Sequence, residues 1–243
     1  VDLVYFVGCV ASAFPEAQSI PRAFVQVLER AGRRYSLLAG EEWCCGYPLI
    51  VNGQRGEARE LMAHNLEAVR SFGAERVAFT CPSCYHVWAH IYPQELGDLG
   101  LEVLHATQLL TELVASEELA MRPLPRRVTF HDPCDLGRRS GIYDAPRQVL
   151  AAIPELTLVE MAESRANGFC CGGGGNLEVL DPELSQAVAE RRLTQAQATG
   201  AHLLVTACGR CKRSLDAAAH RKGVPMEVLD IVELVEKVLD NGA

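Results

Sequence analysis

Residues 73–84 read GAERVAFTCPSC and residues 200–211 read GAHLLVTACGRC. In each stretch a Gly-Ala pair leads into a short apolar run, Arg76 to Thr80 or Leu203 to Thr206, and the run ends in Cys-x-x-Cys. A short apolar run bounded by glycine reads as a buried strand. Cys-x-x-Cys directly after it reads as the start of a helix, where two thiols lie about one turn apart and the helix N-terminus favours their thiolate form.

The likeness extends outward over the whole chain. Cysteines 9, 44, 45, 81 and 84 are followed by 134, 170, 171, 208 and 211, so the second five repeat the first at offsets of 125 to 127. Each set runs Cys, then Cys-Cys-Gly, then Cys-x-x-Cys, and Val103-Leu104 with Leu109 recurs as Val228-Leu229 with Leu234. A repeat of this period is domain-sized, which indicates duplicated halves related by a pseudo-twofold and excludes a solenoid. The charged, proline-containing stretch Ser116 to Arg127 holds the junction, giving a first repeat at 1–118, a linker at 119–127 and a second repeat at 128–243.

Within each half, short apolar runs alternate with helical patterns, the signature of an α/β fold with a mainly parallel, Rossmann-like sheet. Strands are expected at Leu3 to Val7, Tyr35 to Leu38, Arg76 to Thr80 and Leu101 to Leu104, then at Val128 to Phe130, Leu156 to Val159, Leu203 to Thr206 and Glu227 to Leu229. Helices are expected at Pro21 to Ala31, Gly56 to Phe72, Thr107 to Ala115, Ala145 to Ile153, Pro182 to Thr199 and Lys212 to Ala219. Cys9, Cys44-Cys45 and Cys81, like Cys134, Cys170-Cys171 and Cys208, then follow strand ends. Parallel strands end on one edge, so five thiols distant in sequence converge there.

Composition narrows the chemistry. The chain has 243 residues, enough for one large domain or two smaller ones, with 49% apolar and 22% charged residues as in ordinary globular proteins. A net charge of -8 removes the broad basic surface that nucleic acid would require. The longest mostly apolar stretch, Leu3 to Phe14, is about 12 residues, too short to span a membrane. With Asp2 before it and no basic residue, it is also a poor signal peptide, so a cytoplasmic location is expected. In that reducing compartment ten cysteines point to metal or redox work and away from disulfides. Four thiolates suffice for zinc or for a cubane iron–sulfur cluster. A fifth in each half indicates a second kind of iron coordination or a cysteine that does chemistry, and zinc in one or both halves stays open.

Around the second motif, His131 lies three residues before Cys134 at a strand end, a candidate catalytic proton source or hydrogen-bond donor. Arg138 and Arg139 are candidate anchors for an anionic group. Gly172 to Gly175 lacks the Lys-Ser or Lys-Thr of a phosphate loop and reads as close backbone approach to a cluster, with N–H groups directed at sulfur. Trp43, Tyr47, Pro48 and Tyr85 would crowd and shield the first motif. His86 and His90 have the spacing of two metal ligands on a helix, but Trp88 and Ile91 between and beside them favour packing roles.

The paired pattern Cys9, Cys44-Cys45-Gly46, Cys81-Pro82-Ser83-Cys84 and Cys134, Cys170-Cys171-Gly172, Cys208-Gly209-Arg210-Cys211 resembles the cysteine-rich CCG domain family, typified by heterodisulfide reductase, over essentially the entire chain. The string His131-Asp132-Pro133-Cys134 with Leu136-Gly137-Arg138 is similar to the heterodisulfide reductase-related iron–sulfur proteins (B- and D-type) in particular. The resemblance implies two [4Fe-4S] clusters of the noncubane type. Cys9, Cys44, Cys45, Cys81 and Cys84 would bind one, and Cys134, Cys170, Cys171, Cys208 and Cys211 the other. It also implies zinc or a cubane cluster in one half as an alternative. The expected role is an oxidoreductase subunit that reduces a disulfide or passes electrons to flavoprotein or ferredoxin-like iron–sulfur partners, with membrane association only through a partner. A relay subunit of a lactate or glycolate oxidase, or of an electron-transfer flavoprotein–quinone system, is the first alternative, and a zinc-stabilised scaffold without redox activity the second.

Overall fold

Four parallel strands form the sheet of each half, and their order explains why the thiols meet. The computed structural model describes residues 1–240; the last three positions of the second repeat, 241–243, lie outside the described residues. The first half runs β1 (Leu3–Phe6), α1 (Cys9–Ala13), α2 (Ser19–Arg30), β2 (Tyr35–Leu37), α3 (Tyr47–Val51), α4 (Arg55–Ser71), β3 (Arg76–Phe79), α5 (Pro82–His86), α6 (Tyr92–Leu96), β4 (Glu102–His105) and α7 (Ala106–Ala115). The second runs β5 (Arg127–His131), α8 (Asp144–Ala152), β6 (Thr157–Leu158), α9 (Leu177–Leu180), α10 (Pro182–Gln197), β7 (Leu203–Thr206), α11 (Gly209–Lys222), β8 (Glu227–Asp230) and α12 (Ile231–Val238). The sheets have the orders β2-β1-β3-β4 and β6-β5-β7-β8, all parallel, with Val4 opposite Val77 and Phe130 opposite Val205. The chain reverses direction of travel across the sheet between β1 and β3, and again between β5 and β7. Those are the switch points at which α/β sheets open a crevice beyond their carboxyl ends.

Helices cover both sheet faces, so the central strands read as unbroken apolar runs: Leu3, Val4, Tyr5 and Phe6 are all buried. α2 sets Ile20, Ala23, Phe24, Val27 and Leu28 on its buried side, the spacing of one helix face. The halves are fused through helices. α2 packs on α12, and α7 on α8. Because α2 and α8 follow the first strands and α7 and α12 the last, each contact is the pseudo-twofold image of the other. The larger of two hydrophobic clusters runs through both sheets, joining Phe6, Phe24 and Phe79 to Phe130, Val205 and Val232, and the smaller packs Leu193 and Leu215 on Leu204 and Val228.

The expected strands all form, within a residue or two at their ends. The helix expected at Lys212 to Ala219 is longer, Gly209–Lys222, and ends where Gly223 turns left-handed at φ 62°. After Cys84 the helix widens to a single π segment, Val87–Ile91, just ahead of Pro93, which has no N–H to offer. The stretch expected to be a linker is fastened down. Leu119 is buried, Met121 bridges Leu239, and the Arg122 backbone and side chain donate to the carbonyls of Val238, Leu239 and Lys237. Its last residue, Arg127, already belongs to β5. Among the described residues no helix is long and apolar enough to cross a membrane.

Candidate metal centres

All ten cysteines are free thiols. Cys9 opens α1, Cys81 caps α5 and Cys208 caps α11, so the crevice at each switch point receives one cysteine from each side. The thiols influence one another in the same order in both halves. Interacting neighbours run Cys9, Cys44, Cys45, Cys84, Cys81 in the first, and Cys134, Cys170, Cys171, Cys211, Cys208 in the second. Each motif is thus one connected set of five, with no thiol left over.

Cys45 and Cys81 in the first set and Cys170 in the second are drawn towards the thiolate, Cys81 chiefly by its bond from Cys84. Hydrogen bonds from Cys44 and Cys84 bring Cys45 down to about 6, and those from Cys134 and Cys171 pull Cys170 strongly down. The donors Cys9 and Cys134 rise in turn, first because their protons are engaged by Cys44 and Cys170 and then through burial. Main-chain amides reinforce the anionic character. Gly172 and Gly173 donate to the Sγ atoms of Cys170 and Cys171 at 3.3 and 3.5 Å, and Gly46 and Tyr47 do the same for Cys44 and Cys45. Five soft donors ringed by amide dipoles fit a thiophilic metal or an iron–sulfur cluster.

The Cys-Cys-Gly signature has a steric cause. Gly46 and Gly172 hold φ of 91° and 77°, in the left-handed region that disfavours side chains. A Cβ on Gly46 would stand 3.3 Å from the Ala58 Cβ, and one on Gly172 only 2.3 Å from the Ser185 carbonyl oxygen. Ala58 and Ser185 occupy equivalent places near the starts of α4 and α10, so these helices set how closely the cysteine pair is held. The glycine run therefore serves two purposes. Gly172 and Gly173 are crowded by protein, while Gly174 and Gly175 face open space.

Strand ends are pinned by carboxylates. Glu42 accepts from the amides of Val7 and Gly8 at 2.8 and 2.7 Å, fixing the turn into Cys9, and burial pushes its carboxyl above the usual range. Buried Asp132 receives a two-pronged bond from Arg147 at 2.8 and 3.0 Å, and Arg147 also grips Glu160 at 2.6 Å. Arg147→Lys keeps the charge but loses the fork. We expect it to cost about 1.5–3 kcal/mol, read as a lower urea midpoint at unchanged slope.

The two centres face each other. Ser83, inside the first Cys-x-x-Cys, donates to Asp135, next to Cys134, at 2.6 Å. One cavity is lined by Cys9, Cys45, Cys81 and Cys84 together with Cys208 and Arg210; an adjoining one is lined by Cys134, Cys171, Cys208 and Cys211 together with Ser83 and Arg210. Arg210 is the cation common to both, a position the arginine expectations passed over although it stands inside the second Cys-x-x-Cys. Arg138 instead donates to the Gly168 carbonyl, and Arg139 bonds Asp135 and lies over the Tyr47 ring. Of the aromatics expected to shield the first motif, Tyr85 is buried and Tyr47 and Pro48 line the cavity. Trp43 is 46% exposed and stacks on His64.

His131 lies where expected, at the end of β5, with a ring nitrogen and the Sγ atoms of Cys171 and Cys211 all within 4.8 Å of one another. Burial, then the neighbouring Arg192 charge, depress it to about 3, so the ring is neutral near pH 7. His86 and His90 have ring centres 4.9 Å apart, but His86 Nδ1 bonds Ser140 and burial lowers it to about 4, the surroundings of a packing residue.

Comparison with known proteins agrees with this geometry. Residues 3–87 and 128–216 each match the model of the cysteine-rich (CCG) domain. The chain is 40% identical over 98% of its length to the D-type polypeptide of dihydromethanophenazine:CoB–CoM heterodisulfide reductase from Methanosarcina barkeri, and spans 59% of the length of that relative. It is 30% identical over 98% of its length to EtfAB:quinone oxidoreductase of Syntrophomonas wolfei, covering 34% of that protein. A crystal structure of a hypothetical protein from Helicobacter pylori shares the fold with a TM-score of 0.65 at 9% identity, covering 100% of this chain and 50% of that one. Two matched repeats, each closing on five connected thiols, place the chain in the cysteine-rich CCG domain family.

Proposed function

We propose that the chain is an iron–sulfur redox unit that holds two [4Fe-4S] clusters of the noncubane type, one on Cys9, Cys44, Cys45, Cys81 and Cys84 and one on Cys134, Cys170, Cys171, Cys208 and Cys211. The observation that carries this reading is the pair of five-sulfur sets, connected in the same order and opening on adjoining cavities. Once bound, the clusters would supply electrons singly between a partner and a substrate. The chain's own part is to place that substrate. The cavities bring both cysteine sets and the Arg210 guanidinium together, which suits a disulfide with an anionic substituent. Reductive cleavage breaks the S–S bond, and each sulfur takes up one electron and one proton. The electrons come from a flavoprotein or a ferredoxin-like iron–sulfur partner, consistent with relatives that are named as subunits of heterodisulfide reductase and of fumarate reductase (CoM/CoB). The likeness to an EtfAB:quinone oxidoreductase favours a second reading, in which the same centres relay electrons towards a quinone.

Anaerobically prepared protein is expected to contain about eight irons and a comparable amount of labile sulfide, as two four-iron clusters require. Two zinc ions with negligible iron would reject the redox reading. Zinc in one half and four irons in the other would reduce it to a single centre.

A further inference from the structure

Duplication provides a comparison within one chain, since each position near one centre has a counterpart near the other. At the cysteines' own offsets, His131 corresponds to Phe6 and Arg192 to Asn65. In the first half these positions are neutral. Phe6 packs on Phe79 and Trp88 with ring centres 5.4 and 5.6 Å apart, and Asn65 holds the backbone of Trp43 and Cys44. In the second half they carry a charge and a polar ring, both buried, with Arg192 wholly shielded from solvent.

Arg192 donates from Nε to His131 Nδ1 at 3.0 Å and from one terminal nitrogen to the Glu163 carbonyl and to Gln195, both at 2.8 Å. Its other terminal nitrogen is buried without a partner, and among the described residues no carboxylate forms an ion pair with it. A buried, unpaired guanidinium is strongly unfavourable unless an anion lies close. The Asp132 and Glu163 carboxylates act on it without forming an ion pair, and Cys211 and Cys171, grouped with His131, are the further anionic candidates. The imidazole links Arg192 to those sulfurs. A guanidinium can only donate, so Nδ1 is the acceptor and the ring proton sits on Nε2. Nε2 is itself buried without a protein partner. With Nδ1 occupied and Nε2 protonated, His131 offers no lone pair to a metal; it offers an N–H to sulfur.

We propose that Arg192 and His131 are positioning residues that make the centre on Cys134, Cys170, Cys171, Cys208 and Cys211 easier to reduce than its counterpart, so that electrons collect on the second centre. The inference rests on the iron–sulfur reading above. Reduction adds negative charge, and a buried cation favours the reduced form, as would an N–H bond from Nε2 to a sulfur of the bound cluster. Phe6 and Asn65 give the first centre neither.

The test is a redox titration of the anaerobic chain followed by electron paramagnetic resonance, with each signal assigned by its loss in Cys45→Ser or Cys171→Ser. In the unaltered chain the second centre is expected to reduce first. Arg192→Gln and His131→Phe, the latter installing the first half's residue, are each expected to lower its reduced-to-oxidised ratio at fixed potential at least tenfold, a shift of about 59 mV for a one-electron couple. The first centre stays put, and Arg192→Lys, which retains the charge, recovers part of the shift. If Arg192→Gln fails to load iron, His131→Phe and Arg192→Lys decide the matter. A second centre that reduces after the first in the unaltered chain, or whose potential is unmoved in the variants, overturns the inference alone. Absence of any iron signal in the unaltered chain overturns the iron–sulfur reading and this inference with it.

Discussion

Cys171→Ser is expected to abolish one iron–sulfur signal and leave the other intact, with iron falling from about eight to about four per chain; Cys45→Ser is expected to do the reverse. The reason is the way the sulfurs connect. Cys171 sits in the middle of its set, between Cys170 and Cys211, and Cys45 sits between Cys44 and Cys84. Removing a middle member severs the set, and a serine hydroxyl is a poor replacement for a soft thiolate. Cys208 also lines the cavity of the first motif, so independence of the two centres is a real test and no foregone result. Iron analysis and spectra of both variants read it, and loss of both signals from either substitution would mean that ligands are shared across the pseudo-twofold.

Gly172→Ala is expected to be the most damaging exchange outside the cysteines. The added methyl would stand 2.3 Å from a main-chain oxygen of α10, at a backbone angle alanine already resists, so the helix or the cysteine pair has to move. A loss of more than about 4 kcal/mol is expected, in the range reserved for severe steric faults. Gly46→Ala meets only the Ala58 methyl group, and about 1–3 kcal/mol is expected from its left-handed backbone. Gly174→Ala has open space and no such angle, and should change stability by less than about 0.5 kcal/mol. Thermal melts of the loaded proteins should reproduce that order; equal behaviour of Gly172→Ala and Gly174→Ala would show that the crevice yields easily and that the signature glycine has another cause.

Much of this arrangement is legible in the sequence. Strands covered on both faces leave uninterrupted apolar runs such as Leu203 to Thr206, and cysteines that follow such runs must collect at one sheet edge. The order of thiol interactions is not legible there. That Cys45 meets Cys84 and not Cys81 follows from how each helix leaves its cap, which spacing alone leaves undetermined. Arg192 is equally hidden, because it follows Arg191 in a helix with other charges; Arg191 lies over the Phe169 ring while its neighbour turns into the core. α12 is absent from the expected helices although Glu233, Glu236 and Lys237 share one face of it, because it spans only two turns directly after β8. Its signal was local: Asp230 caps Val232 while Glu233 reaches back to the Asp230 amide, an Asp-x-x-Glu box readable in the sequence.

The exchanged helix contacts, α2 on α12 and α7 on α8, have a historical consequence. A polypeptide carrying a single repeat would expose the faces that now meet, and two copies would cover them by the same pair of contacts, an isologous homodimer. In such a dimer any substitution appears on both sides at once, so its two sites are obliged to be identical. Joining the copies end to end frees each site to change without its twin, and Asn65 and Arg192 are what that freedom looks like at one pair of once-equal positions.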